Sequence, residues 1–354
     1  MRVLVVGYGF AGSSLSYFLC KHGIQVDIIT NPIFDKSSSS TISAGIMLPF
    51  SGKRKTLSHK VSAALPFALD HYQTIQNHAK SKILYDLPVR QLLIEARDYN
   101  DWFSKTNEKE TAQFIEHIHI SVISEKLKSH IGFLQFSHTN AIHSAELLNA
   151  YKSTSPNCVF HSEQFNFEKL VINDTCIKYN NQKFDQVIFC DGYRVIENPY
   201  WNKLPFMPVK GEIIDIHAPD LHLDFILNGT LYVIPLGNDN YKVGATYNWK
   251  EIDEIPSSSG IQYLKSELEK MISTDYYIIE HKAGVRPAIQ DRRPVLGFHP
   301  QFKTIGIFNG LGTKGAMLSP YYGNMMANHI ANNSAIDDEV SVDRFLKLLT
   351  VQNQ

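Results

Sequence analysis

The first twelve residues constrain the fold of this chain more than any other stretch. Val3 to Val6 predict a buried strand that runs directly into the pattern Gly7-x-Gly9-x-x-Gly12. An apolar segment of helical spacing follows, and a second β-rich run begins at Val26. A strand, a glycine-rich turn, a helix and a second strand in this order are typical of a dinucleotide-binding βαβ unit. The alternative is a βαβ unit whose glycines serve packing alone.

Each glycine of this pattern has a distinct physical use. Gly7 permits the tight turn, Gly9 lets the backbone approach a pyrophosphate, and Gly12 lets helix and strand pack closely. The helix N-terminus then offers free N–H groups and the positive end of its dipole to the phosphates.

The end of the second strand departs from the usual nucleotide-binding pattern. A carboxylate that binds the ribose hydroxyls normally stands there, but this chain has Thr30 at that position, followed by Asn31. Asp27 comes too early along the strand to take this role. A bound dinucleotide is therefore expected to be held here by Thr30, Asn31 or a water molecule.

Composition and charge exclude several classes of protein. The chain has 354 residues, of which 44% are hydrophobic and 19% charged, so we expect a folded protein of two domains. Its 34 basic residues nearly balance its 35 acidic ones, giving a net charge of -1 that favours neither nucleic acid nor a membrane surface.

Cysteines, histidines and apolar runs give no sign of a metal site or a membrane anchor. Cys20, Cys158, Cys176 and Cys190 show no metal-binding spacing and are expected to be reduced. No apolar run approaches the ~20 residues of a membrane helix. The first strand begins at residue 2 and leaves no room for a signal peptide, so we expect a cytoplasmic protein without metal.

The middle of the chain has a β-rich character. Residues 209–216 and 231–234 alternate with a period of two, and residues 241–246 predict a partner strand after a turn at 238–240. This pattern predicts an antiparallel sheet inserted in an α/β protein. Helices are predicted over 59–80, 96–117, 141–151 and 260–272.

A second strand, glycine-rich turn and helix lies near the other end of the chain. Residues 305–308 predict a buried strand that runs into Asn309-Gly310-Leu-Gly312-Thr-Lys-Gly315. Two further segments suit a backbone that lies against a flat ligand or a phosphate, namely Ser43-Ala44-Gly45-Ile46 and the strand end at Asp191-Gly192.

Nine segments in order over nearly the whole chain resemble the D-amino-acid oxidase, glycine oxidase and sarcosine oxidase family of FAD-dependent oxidoreductases. They are Gly7-x-Gly9-x-x-Gly12, Ser43-Ala-Gly45, Val187-Ile-Phe-Cys-Asp-Gly192, Pro208-Val-Lys-Gly211, Tyr232-Val-Ile-Pro235, Val243-Gly-Ala-Thr246, Gly284-Val-Arg-Pro287, Asp291-x-x-Pro-Val-Leu-Gly297 and Gly310-x-Gly312-x-x-Gly315. The resemblance implies an α/β fold in which a Rossmann-like, glutathione-reductase-like FAD-binding domain carries an inserted α+β substrate domain built on an antiparallel sheet.

The same resemblance implies domain boundaries and a cofactor. The FAD-binding domain would comprise residues 1–83, 140–205 and 285–354, and the substrate domain residues 84–139 and 206–284. The cofactor would be FAD rather than NAD, held non-covalently because no cysteine follows Cys190 and no histidine lies between His22 and His59. The residues expected to bind it are Gly7, Gly9, Phe10, Ala11, Gly12, Thr30, Asn31, Ser43, Ala44, Gly45, Ile46, Asp191, Gly192, Arg286, Gly310, Leu311, Gly312, Thr313, Lys314, Gly315 and Ala316.

Three residues are predicted to act on the substrate or on oxygen. Arg286 resembles the arginine that pairs an amino-acid carboxylate in this family, and its alternative role is an ion pair with Asp291. Tyr232 could reach the same carboxylate, or it could be a core tyrosine. Lys242 resembles the lysine that promotes the reaction with oxygen near flavin N5 in sarcosine oxidases, whereas most lysines on strands have no such role.

The function predicted is oxidation of a small amine, an amino acid or an N-substituted glycine, by hydride transfer to flavin N5 with oxygen or another acceptor. One alternative is FAD-dependent oxidation of a carboxymethylaminomethyl group on tRNA uridine, which the absence of a basic stripe disfavours. The other two alternatives are a flavin-binding protein without catalysis and a nicotinamide-dependent dehydrogenase.

Overall fold

The computed structural model describes residues 1–31, 38–52, 54–85, 87–128 and 130–350. Its strands are β1 (Arg2–Val6), β2 (Gln25–Thr30), β3 (Ile46–Met47), β4 (Phe50–Ser51), β5 (Thr56–Leu57), β6 (Val89–Leu93), β7 (Ile115–His119), β8 (Gly132–Phe136), β9 (Asn140–Ala141), β10 (Cys158–Ser162), β11 (Leu170–Ile172), β12 (Ile177–Tyr179), β13 (Gln182–Phe184), β14 (Gln186–Phe189), β15 (Val209–His217), β16 (Ile226–Asn228), β17 (Tyr232–Gly237), β18 (Asn240–Gly244), β19 (Tyr277–Arg286), β20 (Val295–Phe298) and β21 (Ile305–Asn309).

The α-helices are α1 (Phe10–Lys21), α2 (Ser39–Ile42), α3 (Val61–Ala79), α4 (Ala96–Thr106), α5 (Lys109–Ala112), α6 (Ser144–Ser153), α7 (Ser258–Met271), α8 (Gly315–Asn332) and α9 (Leu346–Thr350). Short 3₁₀ helices cover Phe167–Lys169, Gly192–Glu197 and Val342–Phe345. In the described part of the chain, no helix combines the length and the apolar character needed to cross a membrane.

A six-stranded sheet of order β10-β2-β1-β14-β21-β20 forms the first layer of the fold. Its pairs are parallel except β20 with β21. Because side chains alternate along a strand, Val3 and Val5 join the core on one face and Leu4 and Val6 the core on the other. Burial on both faces explains why these strands are continuous apolar runs.

Different elements pack against the two faces of this sheet. Helices α1, α3 and α8 contribute to the core on one side, through residues such as Leu15, Leu65 and Met326. The antiparallel three-stranded sheet β11-β12-β13 and Trp201 contribute to the core on the other. This arrangement confirms the predicted Rossmann-like fold class.

An eight-stranded sheet of order β19-β15-β18-β17-β16-β6-β8-β7 forms the second large layer. It is antiparallel apart from the parallel pair β16 and β6. Strands from residues 89–136 and 209–286 meet in it, and α7 covers one face through Leu264 and Leu268. The division into two domains at the predicted boundaries stays a prediction.

The predicted helix over residues 96–117 is wrong at its C-terminal end. Helices α4 and α5 occupy residues 96–106 and 109–112, but Ile115–His119 is strand β7. The partner strand β8 pairs with it at the edge of the eight-stranded sheet. Long-range pairing therefore overrides the local helical spacing.

The two glycine-rich turns come together at one edge of the six-stranded sheet. Strands β1 and β21 are both parallel to β14, which lies between them, so all three end at the same edge. Ser14 Oγ donates a hydrogen bond to the Ser319 carbonyl at 2.6 Å. A Cβ on Gly315 would lie 2.7 Å from Cδ2 of Phe10. The N-termini of α1 and α8 are therefore neighbours.

Candidate active site

Two cavities adjoin at this edge of the sheet. The smaller, of about 500 Å³, is lined by Gly7, Thr30, Asn31 and Asp191 among others. The larger, of about 910 Å³, extends to the eight-stranded sheet. Because Gly9 and Gly192 contribute to both walls, an extended ligand can run from one cavity into the other past Gly9.

The first glycine turn leaves no room for side chains. Gly7 has φ +99°, and a Cβ there would overlap the Cys190 carbonyl, while a Cβ on Gly12 would overlap the Gly7 carbonyl. Gly9 is the N-cap of α1 and offers no side chain to its first turn, which carries no acidic residue. The Phe10 N–H donates to Ser40 Oγ at 3.0 Å. This helix N-terminus is suited to an anion.

The end of β2 has a carboxylate neighbour on the adjacent strand. Thr30 pairs with Ser162 in the β2–β10 register, and Glu163 follows directly. Glu163 lines the smaller cavity together with Thr30 and Asn31 and accepts a 3.3 Å hydrogen bond from Asn180 Nδ2. Sequence reasoning missed Glu163, because only the strand pairing places it beside Thr30. Asp27 is buried within β2 and pairs with Arg2.

Asn309, which was not predicted, joins the ends of β14 and β21. Its Nδ2 donates to Asp191 Oδ1 at 3.0 Å and to the Gly192 carbonyl at 2.9 Å. Asn198 Nδ2 donates to the other carboxylate oxygen at 2.9 Å. Burial raises the pKa of Asp191 to about 6, against the opposing effect of these two hydrogen bonds. The signal in the sequence was a polar residue at a strand end before glycine.

The predicted loop and the second glycine turn both face the larger cavity. Its wall includes Ser43, Ala44, Gly45 and Ile46 and the run Leu311, Gly312, Thr313, Lys314, Gly315 and Ala316. Gly12 and Gly310 line neither described cavity. Gly310, at φ +77°, instead gives β21 its sharp exit into the turn.

Lys314 places a positive charge in the wall of the larger cavity. Its Nζ donates to the carbonyls of Leu48 at 3.0 Å and Phe50 at 3.1 Å. Burial lowers the pKa of Lys314 to about 8. Among the described residues no carboxylate forms an ion pair with it, so one ammonium N–H beyond the two carbonyl contacts is available to a ligand.

Arg286, at the end of β19, also lines the larger cavity. Its Nη1 donates to the Thr246 carbonyl at 3.3 Å, and its guanidinium lies 4.5 Å from the centre of the Tyr247 ring. A Cβ on Gly211 would overlap the guanidinium, which therefore lies flat on β15. Asp291 pairs instead with Arg344 at 2.9 Å. The alternative role for Arg286, an ion pair with Asp291, is therefore wrong.

Tyr232 lines the larger cavity and pairs with Gly244 across the β17–β18 ladder. A Cβ on Gly244 would lie 2.6 Å from the Tyr232 hydroxyl, so glycine makes room for the phenol. Burial raises the pKa of Tyr232, and nearby Arg286 opposes this increase. The phenol therefore remains protonated at neutral pH and can donate a hydrogen bond.

Lys242 lines neither of the two described cavities. It lies two residues before Gly244 on β18, in register with Asp215 of β15. Burial lowers the pKa of Lys242, and Asp215 opposes this decrease. Its predicted role near the flavin stays a prediction that this placement does not support.

The residues present fit a dinucleotide flavin. Gly7 and Gly9 line the smaller cavity, where a Cβ would meet the Cys190 carbonyl and Ser40 Oγ, and the N-terminus of α1 lies beside them. The larger cavity has a small-residue wall on which a flat ring can lie, and Lys314, which has no carboxylate partner among the described residues. No group of three or more potential metal ligands occurs in the described ranges.

Comparison with known families gives one match over most of the chain. The family model described as FAD dependent oxidoreductase matches residues 2–329.

Curated relatives match shorter segments. Glycine oxidase of Bacillus subtilis is 27% identical over 150 residues, which cover 42% of this chain and 41% of that protein. The tRNA 5-methylaminomethyl-2-thiouridine biosynthesis bifunctional protein of Marinobacter nauticus is 26% identical over 150 residues, covering 39% of this chain and 24% of that protein. The chain thus spans less than half the length of these relatives.

Solved structures match over almost the full length. Iminodiacetate oxidase from Chelativorans sp. BNC1 has a TM-score of 0.80 at 19% identity, covering 96% of this chain and 98% of that one. Glycine oxidase from Geobacillus kaustophilus has a TM-score of 0.79 at 17% identity, covering 95% and 96%. At these identities the likeness shows a shared fold.

Proposed function

The chain belongs to the family of FAD dependent oxidoreductases, and from this premise we propose that it oxidises a small amine that carries a carboxylate. An amino acid or an N-substituted glycine is the expected substrate class. The observation that carries this proposal is Arg286, a guanidinium in the cavity wall that has no carboxylate partner among the described residues. A guanidinium binds a carboxylate through two parallel hydrogen bonds and so fixes its orientation.

The cofactor is proposed to lie across both cavities, held without a covalent bond. The N-terminus of α1 would hold the pyrophosphate, and Glu163 would supply the carboxylate that Thr30 does not provide at the ribose. The loop 43–46 and the turn 311–316 would hold the ring system. When bound, FAD supplies the acceptor for a hydride from the carbon next to the amine.

The protein groups have separate proposed roles in this reaction. Arg286 binds and orients the carboxylate, and the Tyr232 phenol donates a further hydrogen bond to it. Lys314, with the N-terminus of α8 behind it, stabilises the negative charge that reduction adds to the ring. Orientation and charge stabilisation of this kind are the main contributions that a protein makes to cofactor chemistry.

Oxygen is the proposed electron acceptor, and the assistance of Lys242 rests on the family resemblance alone, because Lys242 lines neither described cavity. We expect Lys242→Met to slow the reaction of reduced FAD with oxygen while leaving reduction by substrate unchanged. Stopped-flow absorbance of the two half-reactions separates these effects. An unchanged oxygen reaction contradicts the role of Lys242 but not the amine oxidation.

The proposed function is tested by anaerobic absorbance spectroscopy of the FAD-loaded protein. Amino acids of both configurations and N-methylated or N-carboxymethylated glycines are added singly, and loss of the oxidised flavin band is followed. We expect at least one of them to bleach the band, and the same compound without its carboxylate to fail. A loaded protein that none of them bleaches contradicts the proposal.

A second candidate is oxidation of a carboxymethylaminomethyl group on tRNA uridine. The match to the Marinobacter nauticus tRNA-modifying protein favours it, whereas the net charge of -1 gives no general attraction for RNA. Bleaching by tRNA that carries this group, with no bleaching by free amino acids, would select this candidate. Bleaching by neither would indicate a flavin-binding protein without catalysis.

A further inference from the structure

Two cysteines that are far apart in the sequence lie side by side behind the smaller cavity. Cys20 is in the last turn of α1, Cys158 is the first residue of β10, and their Sγ atoms are 3.1 Å apart. Both thiols are free, and both side chains are half-buried, so small reagents can reach them. The other two cysteines, Cys176 and Cys190, are buried.

The environment makes the two thiols chemically unequal. A hydrogen bond with Cys158 lowers the pKa of Cys20, burial opposes this decrease, and a hydrogen bond from the Asn157 backbone adds to it. The same thiol contact and burial raise the pKa of Cys158. The thiolate is the reactive form of cysteine, and the hydrogen bond across the 3.1 Å between the two Sγ atoms lets one thiol ionise at the expense of the other. We take Cys20 as the nucleophile and Cys158 as the resolving thiol, an assignment that the variants below test.

We propose that Cys20 and Cys158 form a redox-active dithiol that hydrogen peroxide converts reversibly to a disulfide. Cys20 Sγ attacks one peroxide oxygen, the O–O bond breaks, and a sulfenic acid and one water form. Cys158 Sγ then attacks the Cys20 sulfur, an S–S bond forms, and the hydroxyl leaves as a second water. The two thiols together lose two electrons and two protons, and one peroxide becomes two waters.

The peroxide can come from any source, so this inference does not depend on the proposed amine oxidation. An oxidase that passes electrons to oxygen would, however, itself produce peroxide. A disulfide outside an oxidising compartment is usually transient and catalytic or redox-sensing. Because both thiols are free, we take the dithiol as a reversible redox site rather than a permanent cross-link.

The position of the dithiol connects it to the smaller cavity. Tyr8 and Phe160 both line that cavity and make an edge-to-face ring contact with centroids 4.9 Å apart. Phe160 lies two residues after Cys158 on β10, whose end leads to Glu163. A bond between α1 and β10 would fix this wall, so the disulfide form is expected to release FAD more slowly and unfold at a higher temperature.

The first experiment treats the full-length FAD-loaded protein with a small excess of hydrogen peroxide in the absence of substrate. Free thiols are then blocked and counted in the denatured protein, and non-reducing peptide mass spectrometry locates any link. We expect the count to fall from four thiols to two, with one Cys20–Cys158 peptide that dithiothreitol abolishes. Four remaining thiols, or a link through Cys176 or Cys190, would overturn the proposal.

Single variants test the assignment of the two roles. Cys158→Ser should stop at a sulfenic acid on Cys20 that dimedone captures, and Cys20→Ser should leave Cys158 unoxidised at the same dose. Cys176→Ser is the matched control and should still form the link. Flavin absorbance of each variant verifies its fold. Equal oxidation of Cys158 in Cys20→Ser contradicts the assignment, and equal FAD release by the dithiol and disulfide forms contradicts the coupling to the cavity.

Discussion

The two glycine-rich turns of this protein occupy adjacent helix N-termini but differ in charge. The first, at Gly7–Gly12, contains no charged residue and leads into α1, whose N-cap residue Gly9 has no side chain. The second, at Gly310–Gly315, contains Lys314, which lines the larger cavity and whose ammonium donates to the Leu48 carbonyl. Both turns connect a buried strand to a helix at the same edge of the six-stranded sheet.

The difference between the turns matches two different anions. A pyrophosphate is charged at all times, and backbone N–H groups with a helix dipole can bind it. A flavin ring gains its charge only on reduction, and a full positive charge nearby favours that state. We therefore propose that the first turn binds the pyrophosphate, whereas the second tunes the reactivity of the flavin ring. The predictions below test this contrast.

Gly12→Ala should have the largest effect, because it disturbs the packing of α1 on β1 and through it the binding of FAD. Its Cβ would overlap the Gly7 carbonyl, so we expect FAD affinity to fall by roughly 100-fold, which corresponds to about 2.7 kcal/mol. Fluorescence titration of the apoprotein measures this loss. Gly23→Asn is the control, because a Cβ at Gly23 meets no atom within 4 Å. Retained affinity in Gly12→Ala would show that the turn can move.

Arg286→Lys should reduce kcat/KM for the best substrate by about 100-fold, because a lysine cannot form the bidentate carboxylate pair. FAD content should stay at the wild-type level, since we propose that Arg286 binds the carboxylate of the substrate and not the cofactor. Steady-state kinetics on acid and amide forms of the substrate measure the effect. Equal losses on both forms would contradict carboxylate recognition.

Lys314→Met should distinguish the proposed roles of the two turns most clearly, because it should change flavin reactivity but not FAD binding. We expect FAD affinity to change little, whereas the affinity of the oxidised flavin for sulfite should fall by about 10-fold, because the sulfite adduct places negative charge on the ring. In the wild type the pKa of Lys314, lowered to about 8 by burial, predicts weaker sulfite binding as pH rises through this value.

The lysine variant should lack that pH-dependent step. Absorbance titrations with sulfite across this pH range compare the two proteins directly. A step of the same size in Lys314→Met would assign it to another group.

Glu163→Gln should have the smallest effect, a roughly fivefold loss of FAD affinity from one weakened charged hydrogen bond. Glu168→Gln, an exposed position on the same segment, is the matched control. Titration of both apoproteins with FAD and with FMN sharpens the result. Since FMN lacks the adenosine ribose, its binding should not distinguish the two variants, and a loss for FMN would contradict the ribose assignment.

Local sequence patterns predicted the elements that depend on local physics. Gly7 and Gly12 are required by contacts within one βαβ unit, and the apolar runs at β1 and β21 reflect burial on both faces of one sheet. For this reason the strand–turn–helix units and the fold class could be identified before the structure. The strand at 115–119 could not, because its conformation depends on pairing with β8.

The residues of the candidate site can be divided in the same way, into those that local sequence predicted and those whose contacts depend on the tertiary structure. The sequence by itself predicted the two glycine turns and helix N-termini at which the cofactor is proposed to bind, since glycine spacing and helix N-termini are local properties. Only the tertiary structure decided the contacts around the proposed site. Asp291 pairs with Arg344, so Arg286 has no carboxylate partner among the described residues, Glu163 lies beside Thr30, and Lys242 lines neither described cavity. Strand register and sheet order set these contacts, and neither is a property of any short segment.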